Sequence, residues 1–176
     1  MSFAFIVKNR GMRKWFWVPV AIILIEYILP KARIIPVKGA SIHSWNSNSF
    51  WAYPWGTSIT YKSIDIFADK GTVVTASTHG IVVYTYEGGK GGKSVMVWGS
   101  KWHFHNYAHL DDIKTVVFKP VKGATVIRTV GDTGNAKEKP PHLHYAITSP
   151  YPKLYDAVAV KGWKRMFYLN PDIWLR

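Results

Sequence analysis

The sequence predicts an all-β fold, a single antiparallel sheet or sandwich domain preceded by an N-terminal hydrophobic helix. Three observations carry this expectation. Short β-branched and aromatic runs recur from residue 63 onward, bounded by Gly, Asp, Asn or Pro. Almost no apolar period of 3.6 persists after residue 40, so helices there have no face to bury. Before that point stands one apolar run, Trp15–Leu29, interrupted only by Pro19 and Glu26. A chain of 176 residues with 48% hydrophobic and 15% aromatic content can bury a substantial core as one domain, and that composition argues against disorder.

The N-terminal elements come first. Residues 1–14 read as a basic n-region facing the cytoplasm, with Lys8, Arg10, Arg13 and Lys14. The apolar stretch behind it, residues 15–30, is shorter than the roughly twenty residues of an ordinary membrane span. No small-residue cleavage site follows, and Lys31, Arg33 and Lys38 stand where a cleavage region would be uncharged. The favoured reading is an uncleaved signal anchor, a single transmembrane helix with the bulk of the chain outside the cytoplasm. A buried core helix is the alternative.

Charge and cysteine usage narrow the partners. The net charge of +13 is spread over both parts, with seven basic residues against Glu26 in residues 1–40 and sixteen against nine thereafter. Such a surface suits an anionic polymer: nucleic acid, acidic lipid or wall glycan. No nucleic-acid motif appears, and no basic run interleaves with stacking aromatics, so nucleic acid is not the expected partner. The chain has no Cys, which excludes disulfides, lipoprotein acylation and thiolate zinc sites. A metal would need His, Asp, Glu or Tyr.

Residues 31–49 read as a linker with little apolar burial, and 50–150 as the β domain. Phe50-Trp51-Ala52-Tyr53-Pro54-Trp55-Gly56 is an aromatic knot expected to pack more than to bind. Strands are expected at Ile64–Phe67, Thr72–Ser77 and Ile81–Glu87, with Gly88–Gly92 turning the chain into Ser94–Trp98. That glycine run lacks the Lys-Ser/Thr ending and following helix of a phosphate loop, so it is a hairpin. Trp102–Leu110 alternates, which places Phe104, Asn106 and Ala108 on one face and His103, His105, Tyr107 and His109 on the other. Thr115–Phe118, Thr125–Val130 and Leu143–Thr148 are expected to complete the sheet. Residues 151–176 form a C-terminal extension, broken at Asn170-Pro171, with no assignment.

Chemistry concentrates at His142-Leu143-His144, which a Pro140-Pro141 loop introduces. Residues i and i+2 of a strand share a face, so the two imidazoles sit side by side, as a metal pair or as two satisfied histidines. Asp65, between Ile64 and Ile66, is costly to bury without a partner and is either a structural carboxylate or a ligand. With His109 these residues suit a divalent metal without thiolates.

The segments Asp65-Ile66-Phe67-Ala68, Lys70–Val74, Tyr107-Ala108-His109-Leu110, Gly131–Ala136 and Pro141–Tyr145 resemble the lysostaphin/LytM-type zinc metallopeptidases of peptidoglycan, the duplicated hybrid motif domain family. They stand in family order and spacing across residues 50–150. The resemblance implies an antiparallel β domain with a substrate groove, one zinc ion, and hydrolysis of peptide cross-links by zinc-activated water. It assigns the metal to the Asp of an H-x-x-x-D motif, here Asp65, and to the second His of H-x-H, here His144. It makes His109 and His142 the catalytic histidines. It further implies a peptidoglycan peptide as substrate, and together with the signal anchor this leads to an expected place in the inner membrane of a bacterium, with the domain in the periplasm or cell-wall space.

The first His of H-x-x-x-D is absent: position 61 is Tyr61. Phenolate can bind zinc but must first lose a proton of pKa near 10. The alternatives are a two-ligand, low-affinity site or rescue by His43 or another mobile histidine. Ser63 and Arg128 stand where the family carries Gly, so strained left-handed backbone is expected there. Two functions from different classes follow. One is a membrane-anchored zinc endopeptidase; the other is a catalytically degenerate module that binds wall or regulates a partner hydrolase. A third, a basic β domain serving only as a structural interaction protein, requires the matched positions to be coincidence.

Overall fold

The computed structural model describes Trp17, Val20, Ala21, residues 32–112 and residues 115–176. The signal-anchor reading of residues 15–30 therefore lies almost wholly outside the described residues. Among those described, no helix is long and apolar enough to cross a membrane.

The described residues form nine strands: β1 (Ile64–Phe67), β2 (Val73–Thr75), β3 (Gly80–Gly88), β4 (Gly92–Gly99), β5 (Phe104–Leu110), β6 (Pro120–Val121), β7 (Val126–Thr129), β8 (His142–Thr148) and β9 (Tyr168–Leu169). Seven form one antiparallel sheet in the order β1-β8-β5-β4-β3-β6, with β9 pairing β8, while β2 and β7 pair separately. The all-β expectation is met, although the run at 125–130 joins the small sheet rather than the large one.

The large sheet has a core face and a groove face, fixed by β-strand alternation. On β1 and β8, Ile64, Ile66, Leu143, Tyr145 and Ile147 are wholly buried. They pack in one cluster with Val95, Val97 and Tyr107 and with Val74, Ile127 and Val130 around the small sheet. Asp65 and His144 lie opposite each other in the register and point to the other face.

Four expectations need correction. Thr115–Phe118 is not a strand: Phe118 has φ +67 and is exposed, and pairing resumes only at β6. An apolar run without a core to face carries no pairing signal of its own. The lead-in does bury apolar surface, because Val37 and Trp45 belong to the core cluster. Trp45 donates its indole N–H to Asp172 Oδ1 at 2.8 Å, a contact between distant parts of the chain. Ser63 and Arg128 both avoid positive φ, so neither strains the backbone where Gly was expected. Trp102 precedes its strand, in a 3-10 turn at Ser100–Trp102.

The C-terminal extension is part of the fold. It supplies β9, the helices α1 (Gly162–Arg165) and α2 (Pro171–Leu175), and two core residues, Trp174 and Leu175. Asn170 caps α2 by accepting the Asp172 amide at 3.0 Å, with Pro171 at the first helical position.

Candidate active site

Three polar atoms converge on His144. Its Nδ1 lies 3.0 Å from Asp65 Oδ1, 3.1 Å from Tyr61 Oη and 3.4 Å from Ser63 Oγ. Strand register brings the first pair together, since β1 and β8 place Asp65 opposite His144. Tyr61 enters from the segment before β1, where its amide donates to the Ala52 carbonyl and its ring packs at 4.4 Å against Trp55. Trp55 is therefore a groove residue, while its neighbour Trp51 is buried, so the aromatic knot divides between the two tasks.

His142 shares the face of His144, as i and i+2 in a strand require. Its Nε2 is 3.7 Å from Asp65 Oδ2, and its Nδ1 donates to the Pro140 carbonyl at 2.8 Å. His142 opens β8 rather than preceding it. The diproline segment thus orients the ring through a carbonyl that the sequence reading did not single out.

His109 reaches this face against the alternation. His105 and Tyr107 obey the period and enter the core, and His109 would follow them. Between Tyr107 and Leu110, however, β5 spends three steps where β4 spends two, from Val95 to Lys93. The extra residue is a β-bulge, and His109 takes φ +61 within it. The Gly91 carbonyl accepts the His109 amide, and the Gly131 amide donates to the His109 carbonyl, both at 3.0 Å. The ring is carried across the sheet to 5.0 Å from His142 and 5.4 Å from His144.

The Gly131–Asn135 turn explains its own composition. Thr133 accepts His109 Nδ1–H on its carbonyl at 2.8 Å, and its hydroxyl joins the Leu110 carbonyl to the Lys93 amide at 2.9 Å each. Gly134 and Gly92 both have positive φ and approach so closely that a Cβ on either would overlap the other's backbone. Thr133 is a site residue that the sequence reading named only as part of a motif.

The electrostatics divide the groups. Burial alone would raise Asp65, but the hydrogen bond and charge of His144, helped by Tyr61 and His142, hold its carboxyl below the usual range. Burial pushes the Tyr61 phenol upward, and the Asp65 carboxylate adds to the shift. Burial lowers His109 to about 4, with the charges of His144 and His142 acting in the same direction. Tyr61, His109 and His144 border a cleft of about 390 Å³, with Trp55, Lys90 and Asn106, while Asp65 faces a neighbouring pocket with Tyr61 and Phe67. His43 is exposed on the lead-in.

A family profile for peptidase family M23 matches residues 60–156, more than half of the chain, and the chain belongs to that family, with lysostaphin and the LytM-type peptidases. Solved structures share its fold. The catalytic domain of the antimicrobial peptidase lysostaphin from Staphylococcus simulans is 22% identical, with TM-score 0.60 over 77% of this chain and 98% of that one. A putative glycyl-glycine endopeptidase lytM from Ruminococcus gnavus is 22% identical, with TM-score 0.59 over 77% and 61%. A zinc-containing peptidase from Vibrio cholerae is 22% identical, with TM-score 0.54 over 68% and 36%. No curated protein matches the chain.

Zinc is the metal that this family implies. Among the described residues no group of three or more His, Cys, Asp or Glu converges as a metal cage, and the nearest other oxygen to His144 Nδ1 beside Asp65 is the Tyr61 phenol. The set Asp65 Oδ1, Tyr61 Oη and His144 Nδ1 fits in spacing. Its 3.0 and 3.1 Å separations approach the edge of about 3.3 Å of a tetrahedron with bonds near 2.0–2.1 Å. It fits in chemistry on the condition that Tyr61 gives up its proton, which an adjacent dication favours.

Proposed function

We propose that this chain is a zinc metalloendopeptidase that hydrolyses peptide cross-links of peptidoglycan. In this reading the N-terminal segment tethers it to the bacterial inner membrane, with the β domain in the periplasm or cell-wall space. The observation that carries the catalytic reading is the convergence of Asp65, Tyr61 and His144 on one groove face beside His109 and His142. Membership of peptidase family M23 supports it.

Asp65, His144 and Tyr61 are the residues that would hold the metal. Zinc supplies a Lewis-acid charge that lowers the pKa of water and polarises the scissile carbonyl. His109 is the proton acceptor. The Thr133 carbonyl takes its Nδ1–H and so leaves Nε2 unprotonated in the neutral ring. Its depressed pKa keeps the ring neutral at physiological pH, as a base requires. His142 is held by a bond from its Nδ1 to the Pro140 carbonyl, which fixes the ring beside the position where the oxyanion of the tetrahedral intermediate would form. Lys90 and Asn106 line the cleft where the peptide would lie.

One observation favours a second reading. Burial and Asp65 both oppose ionisation of Tyr61. A chain that never binds metal would keep the groove as a wall-binding module or as a regulator of a partner hydrolase.

Incubation of the full chain with purified peptidoglycan separates the two. The enzyme reading expects release of soluble cross-link fragments, abolished by chelator and by His142→Ala. Binding to peptidoglycan with no fragments at any zinc concentration would establish the regulatory module instead. Cell fractionation tests the tether, which a soluble full-length protein would refute.

A further inference from the structure

Beyond β8 the chain builds a knob that the catalytic reading leaves unused. A 3-10 turn, Leu154–Val158, packs against α1, and Gly162 meets the Ala157 carbonyl so closely that a Cβ there would overlap it. Asp156 ties the two together, accepting from Arg165 Nε at 2.9 Å and pairing with Lys153 Nζ at 2.9 Å. The Lys153 amide also donates to the Met166 carbonyl at 2.8 Å. These contacts make one rigid unit of two short turns.

The apolar residues of this unit face solvent. Val158 is 96% exposed, Tyr155 75%, Leu154 73% and Trp163 65%. None of them belongs to the core cluster. Lys153, Lys161, Lys164 and Arg165 surround them, and the single carboxylate, Asp156, is committed to its two ion pairs. Lys164 Nζ sits 4.9 Å from the Trp163 ring centroid and Lys153 Nζ 5.8 Å from that of Tyr155.

This combination has a specific physical meaning. Four large apolar side chains this exposed within one short rigid unit mark an interaction surface. Lysine is depleted from the cores of protein interfaces, which argues against a protein partner. A saccharide would call on hydrogen-bonding groups beside the rings, and the one carboxylate here is occupied. Apolar tips, Trp and Tyr, and lysine stems that lie along apolar surface while their ammonium groups reach outward suit the headgroup boundary of a bilayer.

We propose that the Tyr151–Phe167 knob is an interfacial docking surface for an anionic lipid bilayer. Leu154, Tyr155, Val158 and Trp163 enter the headgroup boundary, while the exposed Lys161 and Lys164 meet lipid phosphates. Tyr168, the next residue, lines the cleft, so docking holds the mouth of the groove beside the membrane surface. The inference concerns a surface separate from the zinc site and does not depend on catalysis.

Hydrogen exchange on the full chain, reconstituted into vesicles of phosphatidylcholine alone or with phosphatidylglycerol added, tests it. Any insertion of the N-terminal segment is common to both vesicle types. The expected result is slower exchange of amides 151–167 on the anionic vesicles, by about threefold or more, reversed by high salt. A Leu154→Asp/Val158→Asp double variant should lose this protection while exchange across residues 64–148 stays unchanged. Equal exchange on both vesicle types would overturn the proposal. So would protection that appears only with soluble wall fragments, or that rises with protein density on neutral vesicles as self-association requires.

Discussion

His105 and His109 lie four residues apart on one strand and end on opposite faces of the sheet. His105 follows the alternation into the core, where its Nδ1 meets Tyr145 Oη at 2.7 Å and Ser77 Oγ at 3.3 Å. Burial, reinforced by the charge of His103, lowers it to about 3. His109 is turned out of the alternation by a bulge and held by one bond from Nδ1 to a carbonyl. Its Nε2 is left on the side of the other groove histidines. Both rings are neutral at pH 7, yet only one faces a cleft. Backbone geometry, more than residue type or pKa, separates a core histidine from a groove histidine here.

The largest effect that sharpens this contrast is on activity. His109→Ala should reduce cross-link hydrolysis by roughly 10²–10⁴-fold at a smaller cost in stability than His105→Ala, because its ring borders the cleft and gives up a single bond. His105→Ala should do the reverse. It opens a cavity and removes the imidazole partner of the Tyr145 and Ser77 hydroxyls, which keep their bond to each other, at a cost of about 3 kcal/mol in urea titration, while activity per folded molecule is retained. Equal losses of activity in the two variants would break the comparison.

Next in size is a pH effect on stability. His105 is held far below its unfolded pKa near 6.5, so the unfolded state binds more protons between about 3 and 6.5. Its contribution is intact above pH 6.5 and is lost as pH falls through that window, with a slope of about 1.4 kcal/mol per pH unit. Denaturant midpoints measured across the window should therefore fall less steeply in His105→Gln than in the parent chain.

The smallest effect concerns the bulge itself. An L-residue at φ +61 is strained, so His109→Gly should be more stable than His109→Ala by about 1 kcal/mol, with both inactive. An Ala variant as stable as the Gly variant would mean that the backbone relaxes out of the left-handed region.

Much of this was legible in the chain. Alternating apolar residues mark β1, β4 and β8, the H-x-H spacing places two imidazoles on one face, and Asp65 between two isoleucines points away from the core. What escaped was long-range. The crossing of His109 depends on carbonyl and amide groups of Gly91 and Gly131, from two segments far apart in sequence. The pairing of 126–129 with β2 rather than the main sheet is a choice of partner, which a strand pattern does not encode. The tail had no local signature because its burial comes from contacts such as Trp45 with Asp172. The roles of Thr133 and Pro140 run through main-chain carbonyls, which every residue type carries.

The zinc-peptidase reading requires Asp65, His144 and Tyr61 to hold the metal together. Calorimetric zinc titration of the full chain and of Tyr61→His tests it most directly when run in buffers of different ionisation enthalpy. In mildly alkaline buffer imidazole is neutral while the phenol still carries its proton. The account predicts one zinc per chain in both proteins. It predicts tighter binding in Tyr61→His by roughly 10–100-fold, since no phenol has to be ionised, and about one more proton released per zinc from the parent chain. Zinc binding in Tyr61→His alone, with none in the parent chain, would contradict it.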